Sequence, residues 1–135
     1  MFHSGTFILL YHYTAFMIKT LKKERRLPSL DFIAGVIAIE GAFMWIKQNK
    51  KSIPVFQLKM RADEQKLFEL IKSKLRLKEV VYQYNHQNRH YVLMLIRSRA
   101  SITSVIIPLL DKRLYGTKKA KFEAWRDKML SIDQK

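Results

Sequence analysis

The chain has 135 residues, 26 of them Lys or Arg and 11 Asp or Glu, for a net charge of +15. Hydrophobic residues make up 48% of it, which excludes wholesale disorder, and the length fits one domain. The absence of cysteine excludes disulfide scaffolds, thiolate zinc sites and cysteine nucleophiles, and fits a reducing compartment. A surface this basic attracts polyanions. Nucleic acid is the expected partner, because phosphate neutralisation is the usual reason for such an excess. Basic residues recur at Lys19–Arg26, Lys47–Lys51, Lys59–Arg61, Lys72–Lys78, Arg89–Arg99 and Lys112–Lys121. The charge is therefore spread over a folded surface rather than held in one tail.

The chain opens on an apolar run (Phe7, Ile8, Leu9, Leu10, Tyr11, Tyr13, Phe16, Met17, Ile18) followed by Lys19, Lys22, Lys23, Arg25 and Arg26. The run is shorter than the roughly 20 apolar residues a membrane span needs. Its positive charges follow the apolar part, the reverse of a secretory signal. Residues 1–27 are expected to form a docking extension, buried on the domain or on a partner. Residues 28–130 form the domain, and 131–135 a C-terminal tail.

Leu27-Pro28-Ser29 marks the boundary, since proline disfavours helix in the residue before it. Ser29 can cap a helix and Asp31 sits favourably in its first turn, so Leu30–Ile39 is predicted helical, ending at Glu40-Gly41. Residues 42–48, aromatic and β-branched, and 52–60 are predicted to pair as a hairpin across the turn Asn49-Lys50-Lys51. Pro54 suits an edge or a bulge. Leu67, Leu70, Ile71 and Leu75 have helical spacing in 62–76, with acids at its start and lysines toward its end. Strands then return at 79–84 and 89–97 about the turn Asn85–Asn88. Helices follow at 101–111, interrupted near Pro108, and at 117–130. The order α-β-β-α-β-β-α, with a trailing helix, predicts an α+β domain. Its four-stranded antiparallel sheet is covered by helices on one face and open to a ligand on the other.

The segment Ile33-Ala34-Gly35-Val36-Ile37-Ala38-Ile39-Glu40-Gly41 resembles the signature of the LAGLIDADG homing endonuclease family. Phe56-Gln57-Leu58 leading into the helix opened by Asp63, and Leu114-Tyr115-Gly116-Thr117-Lys118-Lys119 before the last helix, extend the resemblance over roughly 28–130. It implies one αββαββα unit. In the family two motif helices pack face to face, and the acid at the foot of each binds Mg²⁺ near a scissile phosphate. The resemblance thus implies Glu40 as catalytic and metal-binding acid, Lys118 as the basic residue beside it, Gly35 as the point of close helix approach and Gly41 as the turn into the first strand. Three positions depart from the pattern: Ala38 where the family has Asp, Ile39 where it has a small residue, and Met60 where it has Gln or another polar side chain. Ile39 lies four residues after Gly35 on the same helix face, and its bulk is expected to hold two such helices apart.

Two further patterns lie outside the motif. His86 and His90 flank a hairpin turn, too few ligands for zinc. On the strands, Ile53, Val55, Gln57 and Lys59 should share one face, as should Arg89, Tyr91, Leu93, Leu95 and Arg97, with Tyr82 and Tyr84 aligned beside them. Basic side chains among aromatics suit phosphate contact with base or sugar stacking. The expected nucleic-acid contacts are Lys47, Lys50, Lys51, Gln57, Lys59, Arg61, Arg89, Tyr91, Arg97, Arg99, Lys112, Arg113, Lys118 and Lys119.

These readings lead to a non-catalytic protein that binds RNA in preference to DNA and needs no cofactor. Its expected setting is a structural place in an organellar, mitochondrial ribosome or other ribonucleoprotein, among protein neighbours and with no membrane span. The alternative is a Mg²⁺-dependent, site-specific double-strand DNA endonuclease acting as a homodimer through Glu40 and Lys118; a third reading is an intron RNA maturase.

Overall fold

The computed structural model describes Thr14, Ala15 and residues 26–133. The proposed docking extension therefore lies almost wholly outside the described residues. Helix α1 (Leu30–Glu40) starts where the Ser29 side chain accepts from the Phe32 N–H at 3.1 Å. It runs without a loop into β1 (Gly41–Gln48), which turns back as β2 (Lys51–Arg61). A short 3₁₀ turn, Ala62–Glu64, leads into α2 (Gln65–Leu75). The second hairpin is β3 (Val81–His86) and β4 (Arg89–Ile96). Helix α3 (Arg99–Ser101) widens through a π-helical turn at Ile102–Ile106 and closes as α4 (Ile107–Leu110). Helix α5 (Gly116–Asp133) ends the described chain. Among the described residues no helix is long and apolar enough to cross a membrane.

The sheet is antiparallel with order β1-β2-β4-β3, so the two hairpins join through β2 and β4. Phe56, Leu58 and Met60 of β2 and Val92, Met94 and Ile96 of β4 face the core. Helices α1, α2, α4 and α5 and the π turn contribute to that core, through residues such as Ile37, Phe68, Ile106, Leu110 and Phe122. Phe43 anchors β1, its ring centroid 5.4 Å from Phe122 and 5.2 Å from Trp125. The Trp125 indole N–H donates to the Met44 carbonyl at 3.0 Å, tying α5 to β1.

Several boundaries differ from the sequence prediction. Both hairpin turns are two residues long, Asn49-Lys50 and Gln87-Asn88, and all four residues have positive φ. Such turns match the twist of paired strands; β3 therefore continues through Asn85 and His86, which were expected in the loop. Pro54 causes no bulge. It pairs in register with Trp45, at a stretch of β2 that β4, joining only from Phe56, does not reach. The helix expected over 101–111 starts earlier, because the Ser98 hydroxyl accepts from the Ser101 N–H at 3.2 Å. Its interruption is the π turn ahead of Pro108, a residue that lacks the N–H a regular helix would use there. Helix α5 continues to Asp133, so the segment after residue 130 begins as helix rather than as a tail.

Gly41 makes the direct passage from α1 to β1 possible. A Cβ placed there would lie 2.8 Å from the Ile37 carbonyl oxygen and 2.7 Å from Ile37 Cγ2. The backbone oxygen cannot swing away. We expect Gly41→Ala to cost about 3 kcal/mol and to lower Tm by roughly 10 °C in a thermal melt.

Candidate functional site

The site grows from the way α1 divides its faces. Ile33, Ala34 and Ile37 are buried against the sheet and its helices. Phe32, Gly35 and Ile39 face outward, and Ile39 is 79% exposed. These three sit at spacings of three and four, which puts them in one stripe along the helix. At Gly35 the space a Cβ would occupy has nothing within 4 Å. Among the described residues, then, nothing requires glycine there, although glycine weakens a helix interior by about 0.5–1 kcal/mol. Phe32 and Ile39 stand on either side of it, leaving a hollow between two apolar side chains.

The stripe ends on Glu40, which is exposed. Among the described residues no hydrogen bond or ion pair engages its carboxylate. Lys118, from the start of α5, donates to the Gly41 carbonyl at 2.5 Å, which fixes a cation at the foot of α1. A cleft of about 330 Å³ opens beside it, lined by Ile39, Glu40, Gln57, Lys59, Met60, Arg61, His90 and Tyr91. The sequence thus located its acid and its lysine at one spot, 78 positions apart in the chain. Met60 touches both worlds, lining this cleft while only 7% exposed within the core. Its thioether neither donates a hydrogen bond nor accepts one strongly.

The open face of the sheet carries the residues that alternate away from the core. Register places Lys59 beside Leu93 and Tyr82, and Arg61 beside Tyr91 and Tyr84. Tyr84 and Tyr91 stack at 5.0 Å, and the Lys59 ammonium lies 4.3 Å from the Tyr91 ring centre. Lys51 and Gln57 occupy the same face of β2, and Lys50 the turn before it. Arg89 shares the Tyr91 face of β4, and Arg97 lines a groove with Tyr82, Tyr84 and Leu95.

The other expected contacts fall elsewhere. Lys47 alternates to the side of Phe43 and Trp45, although it is exposed at the strand end. Arg99, Lys112 and Lys119 belong to the helical layer. Arg113 is engaged: its Nε donates to Asp31 at 2.9 Å and its Nη1 to the Leu109 carbonyl at 2.9 Å, which ties the α4–α5 loop to α1. Asp31 thus serves a tertiary ion pair as well as the helix dipole.

Three features escaped the sequence reading. Phe32 is an exposed aromatic on the motif helix. Tyr115, 84% exposed, borders the same side of α1 with Gly35 and Ala38. Arg126 spends its charge internally, on Asp111 at 2.8 Å and Asp127 at 2.9 Å, and these carboxylates, Asp127 first, raise its pKa above the ordinary value. A helical wheel would have flagged Phe32 beside Gly35; nothing in the sequence marks the pairing of Arg126 with Asp111.

Among the described residues no cluster of three or more acids or histidines could hold a metal alone. A magnesium ion needs only one or two carboxylates when phosphates complete its shell. The free Glu40 carboxylate fits that requirement.

The fold is similar to that of meganuclease I-SmaMI bound to uncleaveable DNA, with a TM-score of 0.67 and 22% identity over 81% of this chain. I-SmaMI bound to cleaved DNA superposes with a TM-score of 0.70 at 19% identity over 80% of the chain. The I-LtrWI homing endonuclease bound to target DNA gives 0.67 and 22% over 78%. The chain spans only 38%, 38% and 37% of these proteins' respective lengths. No curated protein matches it. The LAGLIDADG endonuclease family model matches residues 33–129, from the first residue of the motif to the last turns of α5. This chain belongs to the LAGLIDADG endonuclease family.

Proposed function

We propose that the chain is one unit of a two-unit, Mg²⁺-dependent DNA endonuclease, its second unit a copy of itself. The observation that carries this reading is the exposed stripe of Phe32, Gly35 and Ile39 running down to Glu40, which no described residue engages. Burying Ile39 between two copies contributes about 1.5–3 kcal/mol, while overpacking a tight seam costs about 1–3 kcal/mol. Phe32 already keeps the helices from a Gly-on-Gly contact, so they meet at the wider spacing of about 8–10 Å and burial wins. The separation expected from Ile39 then becomes a wider seam rather than a lost one.

Pairing brings two Glu40 carboxylates together at the feet of the helices. A bound Mg²⁺ would supply charge neutralisation at the phosphate and an activated water. Glu40 holds the ion's position, and Lys118, itself held by Gly41, places a positive charge where the phosphate gains negative charge. Lys59 and Arg61 meet the nucleic-acid backbone at the near end of the open face. The solved relatives named above were captured with DNA, and one, I-SmaMI, also with calcium ions.

The test uses the full chain, MgCl₂ and a supercoiled plasmid library carrying randomised inserts. Linear product that requires Mg²⁺ supports the reading; its absence contradicts it. A companion measurement addresses the open face. Each of Lys59→Ala and Arg61→Ala should reduce the salt-dependence slope of duplex binding by about 1, read by fluorescence anisotropy.

One observation favours a second reading. Met60 puts a thioether in the cleft where the family pattern has a polar side chain, which fits a unit that grips RNA without cutting it. The settings proposed under that reading are a mitochondrial ribosome, another ribonucleoprotein or an intron complex. Sequencing the nucleic acid that copurifies separates the two: a defined RNA, together with no Mg²⁺-dependent cutting, selects the second.

A further inference from the structure

Toward β1 the open face of the sheet is apolar, with Met44 paired to Val55 and Ile46 to Ile53. Over β4 and β3 its character changes. Tyr84 stacks on Tyr91, and Lys59 covers Tyr91 from the β2 side. The stack therefore crosses β2, β4 and β3 in order and ends on Tyr84, because β3 is an edge strand with nothing paired beyond it. The Tyr84 and Tyr82 rings are both exposed. A groove of about 430 Å³ opens beside them, lined also by Leu95, Arg97 and Glu79. Glu79 Oε2 is buried and has no hydrogen-bond partner. Among the described residues no ion pair engages its carboxylate either, Arg97 included. A buried carboxylate oxygen without a donor is costly, and a ligand that supplies the donor removes the cost.

We propose that this groove holds one unpaired guanine base of a single-stranded nucleic acid. The base extends the stack at Tyr84 or Tyr82, as bases do on exposed aromatic rings. Glu79 selects it. A carboxylate offers two acceptor oxygens and no donor, and guanine carries two adjacent donors, N1–H and the N2 amino group, on its pairing edge. Adenine, cytosine, thymine and uracil each place an acceptor next to their donor there. Arg97 meets the phosphate at the rim. In a duplex both faces of the base are stacked and its pairing edge is occupied, so a paired guanine does not fit. A cationic side chain is the other natural occupant of an acid beside tyrosines. Arg97 in the same groove and the net charge of +15 both repel it. The proposal goes beyond the readings above and depends neither on the pairing of α1 nor on cutting.

The test measures binding of the full chain by fluorescence anisotropy, without Mg²⁺. The probes are oligothymidylate strands with one central dG, dA or deoxyinosine, the last being guanine's analogue without the N2 amino group. We expect the dG strand to bind at least ~10-fold more tightly than the other two, and annealing each strand to its complement to abolish the preference. Glu79→Gln should erase it in the single strands. Tyr84→Ala should weaken binding of the dG strand at least ~10-fold, and Tyr84→Phe, which keeps the ring, should restore it. Equal affinity of the unsubstituted chain for the three strands overturns the proposal, and that arm needs no variant to fold. So does a dG preference that survives Glu79→Gln or persists in the duplexes, or a Tyr84→Ala chain that binds as the parent does. An oligolysine peptide that binds the parent but not Glu79→Gln would give the groove to a cation, and would overturn it too.

Discussion

Replacing Gly35 with Leu should abolish pairing between copies while leaving the single unit folded. Gly35 lies in the middle of α1 with open space where its side chain would be. No contact within the chain is lost by filling that space. Gly35→Ala should therefore stabilise the isolated unit by about 0.5–1 kcal/mol, a rise in Tm of roughly 2–4 °C. Leucine fills the hollow between Phe32 and Ile39 instead. In a symmetric pair the same intrusion occurs in both copies, at about 1–3 kcal/mol each, so the dissociation constant should rise at least ~30-fold. Sedimentation equilibrium reads the association and a thermal melt reads the fold. A Gly35→Leu chain that still associates as the parent does would place the seam elsewhere.

The second large effect is expected at Glu40. Glu40→Gln keeps the shape of the side chain but removes its charge, leaving the metal one fewer anionic ligand. Under the endonuclease reading, cutting should fall by ~10²–10³. Binding to duplex should hold or tighten slightly, because one negative charge leaves the phosphate's surroundings. No strength of fold is at stake, since Glu40 is exposed and makes no described contact. Cleavage that persists in Glu40→Gln would show that another group does the chemistry. Loss of binding and cutting together would mean that Glu40 shapes the grip.

The fold was legible because its signals are local. Ser29, Asp31 and the apolar spacing of Ile33, Ala34 and Ile37 mark α1 before any tertiary contact exists. The two hairpins follow from β-branched and aromatic runs around polar turns. Errors gathered where a residue's tertiary surroundings overrode its local preference. Asn85 and His86 look like loop, yet they pair with His90 and Arg89 in the sheet. Ser98 starts a helix that its neighbours Arg97 and Arg99 do not announce.

The site was half legible. Alternation correctly grouped Gln57 with Lys59 on one strand and Tyr91 with Leu95 on another, because a strand's period of two leaves a single choice once one buried residue is known; which strands share the open face came only from the sheet's pairing. Composition cannot say which of many basic residues are already spent: Arg113 on Asp31 and Arg126 on Asp111 form pairs distant in sequence. It also could not show that half of the open face is apolar, since Met44, Ile46, Ile53 and Val55 read equally well as core.

The central claim is that two copies meet along the outer stripe of α1. The cysteine-free chain allows this to be tested with one substitution, Ile39→Cys, and a short bismaleimide. Helices about 8–10 Å apart put the two thiols within its reach, so a covalent dimer should form rapidly at low concentration, and adding Gly35→Leu should abolish it. Cross-linking no faster than that of a Cys placed at Ser131, with or without Gly35→Leu, would contradict the account.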